Sequence, residues 1–221
     1  MTECLLCKGQ IEDKSSFLQL FLLREEGPNC CSTCYQNFER ISEEHCPRCF
    51  RDGKSDLCTD CKKWEEEGNQ VQHQSIFTYN QAMKAYFSQY KFQGDYALRF
   101  VFAKATKKAV KMFREHTIVP IPVSVEKFQV RGFNQVQGIL DAGKVAYRNI
   151  LEKKDTLAQS SKTREERLQT QQAFEIKKEV DLPDKILLVD DIYTTGKTLQ
   201  LAKQILLEAG VKEVLSFSIA R

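Results

Sequence analysis

The chain of 221 residues contains no run of about 18 apolar residues, so no membrane-spanning helix is expected. Its first residues, MTECLLCKGQIEDK, lack the basic start and long apolar stretch of a secretory signal, and the expected location is the cytoplasm. Cysteine is absent after position 61, although nine lie at or before it, and this is the sharpest change of composition in the sequence. We therefore divide the chain into a small cysteine module, 1–70, and a larger domain, 71–221. No internal repeat is visible beyond the cysteine pairs. With 42% hydrophobic and 29% charged residues, the chain reads as a soluble protein with one substantial core and a small appendage.

Charge is unevenly spread. Residues 1–70 carry 9 Lys/Arg against 14 Asp/Glu, a net of −5, whereas 71–221 carry 24 against 16, a net of +8. Thiolates holding zinc would make the first part more negative still. Only the second part has the electrostatics to attract phosphates, though +8 over that length also suits an ordinary solvated surface.

Eight cysteines form four Cys-x-x-Cys pairs: Cys4 and Cys7, Cys31 and Cys34, Cys46 and Cys49, Cys58 and Cys61. Two thiolates at this spacing can hold one tetrahedral zinc ion, and a second pair completes the shell. Taken in chain order, Cys4, Cys7, Cys31 and Cys34 make one site and Cys46, Cys49, Cys58 and Cys61 another, a double zinc ribbon. Cys30 adjoins Cys31 and is an alternative ligand; His45 precedes Cys46. Disulfides are disfavoured in a reducing compartment, and thioredoxin-like redox chemistry needs one such pair rather than four. Sites filled by sulfur leave no room for catalysis at the metal, so its expected role is to stabilise a segment too small to fold alone.

Beyond residue 70, strand-like QSIFTY ends at Asn80, a helix N-cap before QAMKAYFSQYKF. Asp95 is placed to cap a second helix reaching about His116. TIVPIP reads as a short strand, a polar turn follows, and QVQGILDAGKVAYRN reads as helix. LLVDD is strand, GKTLQLAKQILLEAG is helix closed by Gly210, and EVLSFSIA is the last strand. This alternation predicts an α/β fold with a largely parallel sheet. Between strand-like pieces lies KKDTLAQSSKTREERLQTQQAF, a long polar insert that reads as a lid or a disordered loop. In the long helix, Lys104, Lys107, Lys108, Lys111 and Arg114 share one face, opposite Val101, Ala105, Ala109 and Met112. Such a stripe can track nucleic-acid phosphates or simply be the solvated side of an amphipathic helix.

The most informative stretch is Asp184–Thr198, DKILLVDDIYTTGKT. Gly196-Lys197-Thr198 suggests the phosphate loop of an ATPase, but that loop needs a glycine five residues before Gly196. Asp191 stands there, and a carboxylate at that point repels phosphate. No second acidic strand follows that could hold Mg2+. The same residues suit another ligand. A buried strand brings Asp190 and Asp191 to its C-terminal edge, where open α/β sheets bind ligands. The acids can accept hydrogen bonds from a sugar diol and share its divalent cation. Thr194, Thr195, Gly196, Lys197 and Thr198 then open a helix whose N-terminal N–H groups suit a phosphate monoester. The complementary ligand is a ribose 5-phosphate.

LLVDDIYTTGKT resembles the 5-phosphoribosyl-1-pyrophosphate (PRPP) motif of type I phosphoribosyltransferases, with Lys197 and Tyr193 as departures from its usual small and aliphatic residues. Together with the cysteine pairs, YKFQGDYALR, VPIPVSVEKFQVRGFNQ and TREERLQTQQAF resemble the ComF family over nearly the whole length. CPRCF departs from that family's usual glycine after the second cysteine, at Phe50. The resemblance implies a type I phosphoribosyltransferase-like parallel sheet with helices on both faces, preceded by the double zinc ribbon. It implies that Asp190 and Asp191 hold the ribose hydroxyls and Mg2+ and that Thr194 through Thr198 hold the 5-phosphate. Arg131, with Lys127 behind it, would grip pyrophosphate as a catalytic group, and Arg164 and Arg167 would belong to the lid. It further implies a cytoplasmic role in natural transformation, on incoming single-stranded DNA and beside a ComFA-type ATP-driven translocase. No residue recognises a nucleophile, so an active transferase with an unidentified acceptor, a DNA-uptake binding module and a plain zinc-ribbon DNA binder stand as separate expectations.

Overall fold

A computed structural model describes residues 2–11, 29–53, 55–153 and 174–221. Two short strands, β1 (Thr2–Glu3) and β2 (Gln10–Ile11), pair antiparallel and precede the helices α1 (Ser32–Gln36) and α2 (Thr59–Glu66). Then follow β3 (His73–Phe77), α3 (Gln81–Phe92), α4 (Arg99–Val110), β4 (Thr117–Pro120), α5 (Val125–Arg131) and α6 (Gln135–Ala142). The chain closes with β5 (Leu151–Lys153), β6 (Phe174–Ile176), β7 (Lys185–Ile192), α7 (Lys197–Glu208) and β8 (Glu213–Ala220).

The central sheet has the order β3-β8-β7-β4, and every pair in it is parallel. Of its two interior strands, β7 reads KILLVDDI because it is covered on both faces. Ile186 and Leu188 pack with Leu199, Ala202 and Leu206 of α7. Leu187 and Val189 pack with Val110, Val136 and Leu140 on the opposite face, beneath α4 and α6. The polar period begins only at Asp190, where the strand reaches the edge of the core.

The free edge of β3 is not left open. The amide of Thr78 donates to the Glu39 carbonyl at 2.9 Å, that of Ile41 to Ile76 at 3.1 Å and that of His73 to Arg48 at 3.0 Å. The chain between the two cysteine units, together with the first knuckle of the second unit, therefore satisfies backbone groups that would otherwise template association. His73 itself is buried and bonded to Ser216 at 3.0 Å, Ser75 at 2.8 Å and Ser218 at 3.0 Å. Burial, with Arg221 nearby, holds it well below the usual imidazole range, so it is neutral.

Among the described residues, neither cysteine unit has a core of its own. Cys4, Cys30 and Phe38 pack with Phe77, Tyr86 and Phe102, while Cys46, Cys49 and Cys61 pack with Val119, Leu188 and Tyr193. Phe38 meets Phe102 edge-on with ring centroids 4.8 Å apart. Such aromatic contacts stabilise by about 0.5–1.5 kcal/mol beyond burial.

Several local expectations need revision. Asp95 makes no capping bond; a single turn, Tyr96–Leu98, intervenes before α4. The long helix tightens after Val110 into a short turn at Lys111–Phe113, which turns Phe113 inward and leaves Met112 67% exposed rather than core-facing. α6 stops at Ala142, since Lys144 takes a positive φ of 51°. α5 forms where a polar turn was expected, capped by Ser124 and closed by Gly132 at φ 80°. Phe50 adopts φ 61°, which explains why glycine suits that place in the knuckle. No helix among the described residues is long and apolar enough to cross a membrane.

Candidate functional site

The C-terminal ends of β4 and β7 and the start of α7 converge on one edge of the sheet. Asp190 and Asp191 leave β7 there on opposite faces, as consecutive strand residues must. Each carboxylate first satisfies local backbone: Asp190 Oδ1 accepts from the Asp191 amide at 2.8 Å, and Asp191 Oδ1 from the Ile192 amide at 2.8 Å. Burial, followed by the neighbouring Asp191 charge, pushes the Asp190 carboxyl up to about 7. Asp190 is therefore only partly ionised near neutral pH, and a cation or a sugar hydroxyl would favour its ionised form.

Asp191 already has a cation. Lys91, near the end of α3, forms a buried ion pair with it and lies 4.8 Å from the centroid of the Phe87 ring. Arg131, at the end of α5, donates from Nε to the Lys91 carbonyl at 3.1 Å and from a terminal nitrogen to Gln135 Oε1. Burial lowers the pKa of this guanidinium, and the Asp191 charge opposes that shift. Lys153 is lowered by burial and by Lys127, against the opposing pull of Asp190. Of the two cations read from the sequence here, Arg131 reaches the backbone of Lys91, whereas Lys127 is exposed on α5. Lys91 and Lys153 were not identified; a lysine closing a helix just before Gly94 was the only trace of the former.

The turn after β7 is built around a close approach. Gly196 has φ 82°, and a Cβ there would lie 2.1 Å from the Tyr193 hydroxyl. Tyr193 is buried, packs on His73 with ring centroids 4.2 Å apart and forms the floor of the turn. The positive φ already favours glycine here, and the Tyr193 ring adds a steric reason for it. Thr194, Thr195, Lys197 and Thr198 are all exposed; the N-cap residue Gly196 has no side chain to offer, and the Lys197 amide donates to Thr195 Oγ1 at 3.4 Å. Threonine hydroxyls and the Lys197 ammonium thus surround a helix start whose N-cap residue has no side chain, which suits an anion.

The polar insert enters at β5 and leaves at β6, which pair antiparallel with Lys153 opposite Phe174. Arg164 and Arg167 lie outside the described residues.

The cysteines assemble in two groups, Cys4, Cys7, Cys31 and Cys34 and Cys46, Cys49, Cys58 and Cys61, each with its sulfurs within 4.8 Å of one another. Such all-sulfur groups could hold a metal ion such as zinc. Backbone amides turn toward the sulfurs, as metal-binding knuckles require: Cys31 N donates to Cys4 Sγ at 3.3 Å and Cys58 N to Cys46 Sγ at 3.4 Å. Burial would raise the Cys4 thiol, but amides of Cys7, Cys31 and Leu6 outweigh it and bring it down to about 6. Cys46 likewise comes down to about 7, its burial offset by amides of Cys58, Arg48 and Cys49. Cys30 belongs to neither group; burial, with Cys4 beside it, pushes its thiol up to about 12, and it donates to the Cys31 carbonyl at 3.4 Å. For Mg2+, two carboxylates at the sheet edge are the right hard-oxygen donors.

The profile of the phosphoribosyl transferase domain matches residues 136–221. The chain is 48% identical to competence protein ComFC of Streptococcus pneumoniae over 99% of its own length and all of that protein. It is 33% identical to competence protein ComFC of Bacillus subtilis, covering 99% of this chain and 94% of that one. Competence protein F of Haemophilus influenzae is 23% identical over 99% of this chain and 96% of its own.

Proposed function

The chain belongs to the ComFC family of competence proteins, and from that membership we propose that it serves natural transformation as a PRPP-binding accessory protein on a phosphoribosyltransferase scaffold. Asp190 and Asp191, beside the turn Thr194–Thr198, carry the reading: one edge offers carboxylates to a diol and N–H groups to a phosphate. In this reading Asp190 and Asp191 receive the ribose hydroxyls with Mg2+, and Thr194, Thr195, Gly196, Lys197 and Thr198 receive the 5-phosphate. Lys91 neutralises Asp191 so that the trianionic side of the ligand is not repelled. Arg131, with Lys127, faces the pyrophosphate. We assign Arg164 and Arg167 to a covering segment, residues 1–70 to a zinc-held module and 71–221 to the phosphoribosyltransferase-like domain.

The protein acts in the cytoplasm on incoming single-stranded DNA, next to a ComFA-type ATP-driven translocase. Supporting this, Lys104, Lys107, Lys108, Lys111 and Arg114 are all exposed along α4 and the turn after it.

A second reading, an active phosphoribosyltransferase with an unidentified acceptor, is favoured by the arrangement of Arg131 and Lys91 around the acids. Mg2+ would stabilise departing pyrophosphate; the chain's own residues would orient the ribose and counter the charge on its phosphates. Equilibrium dialysis against PRPP and anisotropy with labelled single-stranded DNA separate the roles. The double variant Asp190→Ala plus Asp191→Ala should lose PRPP while keeping DNA and translocase binding. Loss of all three in a folded protein would sink the accessory reading, and pyrophosphate release with an added base or DNA would establish the transferase.

A further inference from the structure

The phosphate turn is held from behind by residues of an unexpected origin. Thr194 O accepts from Arg221, whose same nitrogen lies 3.3 Å from Tyr193 O. Thr195 O accepts from the Trp64 indole at 3.0 Å. Trp64 lies on α2, three residues after Cys61 of the second cysteine group. Arg221 in turn reaches that group directly. Its other terminal nitrogen donates to Cys49 Sγ at 3.4 Å and to Asp60 Oδ2 at 3.2 Å, and its guanidinium sits 4.6 Å from the Tyr193 ring centroid.

A trans peptide unit points its C=O and N–H in opposite directions. The Thr194 carbonyl shares a peptide with the Thr195 amide, and the Thr195 carbonyl with the Gly196 amide. Holding both carbonyls toward Arg221 and Trp64 therefore turns both amides to the far side, where an anion at the start of α7 would meet them. Gly196 at φ 82° lets the chain make this turn, but by itself glycine fixes nothing. A residue with so much freedom needs outside restraints to keep its amide aimed, and the two carbonyl contacts supply them.

We infer that Trp64 and Arg221 are positioning residues that make the second cysteine group part of the phosphate-binding site, so that its bound metal sets the aim of the Thr195 and Gly196 amides. The inference rests on the ribose-phosphate reading for its ligand but not for its geometry. It gives the second metal a task beyond stability. The first group, packed against Phe77 and Phe102, makes no such contact among the described residues.

The zinc-loaded full-length protein tests this by 15N relaxation of the backbone amides and by calorimetry with ribose 5-phosphate. Trp64→Phe and Arg221→Met should keep their metal content, yet the order parameters of the Thr195 and Gly196 amides should fall from about 0.85 toward 0.6 and ribose 5-phosphate should bind about tenfold more weakly. Unchanged order parameters in both variants overturn the positioning role, whatever the affinity does. If the order parameters fall but ribose 5-phosphate binds neither wild type nor variants, the positioning stands and the ligand reading fails. Should Arg221→Met not melt cooperatively, Arg221→Lys decides, because an ammonium cannot bridge sulfur, carboxylate and two carbonyls at once. After cadmium-113 replaces zinc, Arg221→Met should move one metal resonance and leave the other. Two unmoved resonances would sever the link to the metal.

Discussion

Asp190 is the residue whose chemistry is most finely set. Its carboxyl, raised to about 7 by burial and by Asp191, keeps a proton in the folded chain that the unfolded chain releases near pH 4. The folded state then holds more protons between those values, so this residue's relative contribution is greatest below pH 4 and is lost as pH rises through 7. Asp190→Asn should accordingly be more stable than wild type at pH 8, on the order of 1–3 kcal/mol, with the difference closing by pH 4. Thermal melts across that range measure it, and a destabilised variant at pH 8 would refute the assignment. Because a cation or diol needs the ionised acid, Mg2+-dependent PRPP binding should weaken toward tenfold per pH unit below 7. At Gly196 the argument is steric. A methyl group at φ 82° would strike the Tyr193 hydroxyl at 2.1 Å, so Gly196→Ala should lower PRPP affinity at least tenfold. Equal affinity in calorimetry would mean that the turn is looser than its packing indicates.

Elements differ in how far the sequence announced them. β7 was legible because a strand buried on both faces needs an unbroken apolar run, and the acids that end it were legible as its polar edge. α5 was missed because none of its residues is buried, so no apolar period marks it; only its Ser124 cap and Gly132 stop carry the signal. The pairing of β3 with β8 joins residues more than 140 apart, and nothing local encodes it. Lys91 escaped for a related reason: it closes α3, and only the tertiary fold brings that end to Asp191. α4 presents its lysines to solvent as the helical period requires, which both a DNA track and a solvated face allow. Lys107→Glu, Lys108→Glu and Lys111→Glu together separate the two. If the stripe tracks a single strand, the log–log salt slope of binding should fall by about 0.7 for each phosphate no longer neutralised, roughly 2 in all. An unchanged slope would make the stripe a solvated face.

For the whole molecule, the two chemistries seen separately in the sequence turn out to share structure. The composition changes after Cys61, yet the cysteine units lend their sulfurs to the cores beneath the sheet and cover its edge. Trp64 and Arg221, 157 positions apart, both lean on the same turn, which no spacing rule could have related. Charge follows function in the proposed sense: the basic remainder carries the acids' counter-cations, while the acidic module supports from behind. All of this converges on one claim, that the edge formed by Asp190, Asp191 and Thr194–Thr198 binds PRPP. A calorimetric titration of PRPP with and without Mg2+, on wild type and Asp191→Ala, addresses it most directly. The account predicts saturable 1:1 binding to wild type, strengthened by Mg2+, and at least tenfold weaker binding to a folded Asp191→Ala protein. Absence of binding to wild type, or equal binding to both proteins, would contradict it.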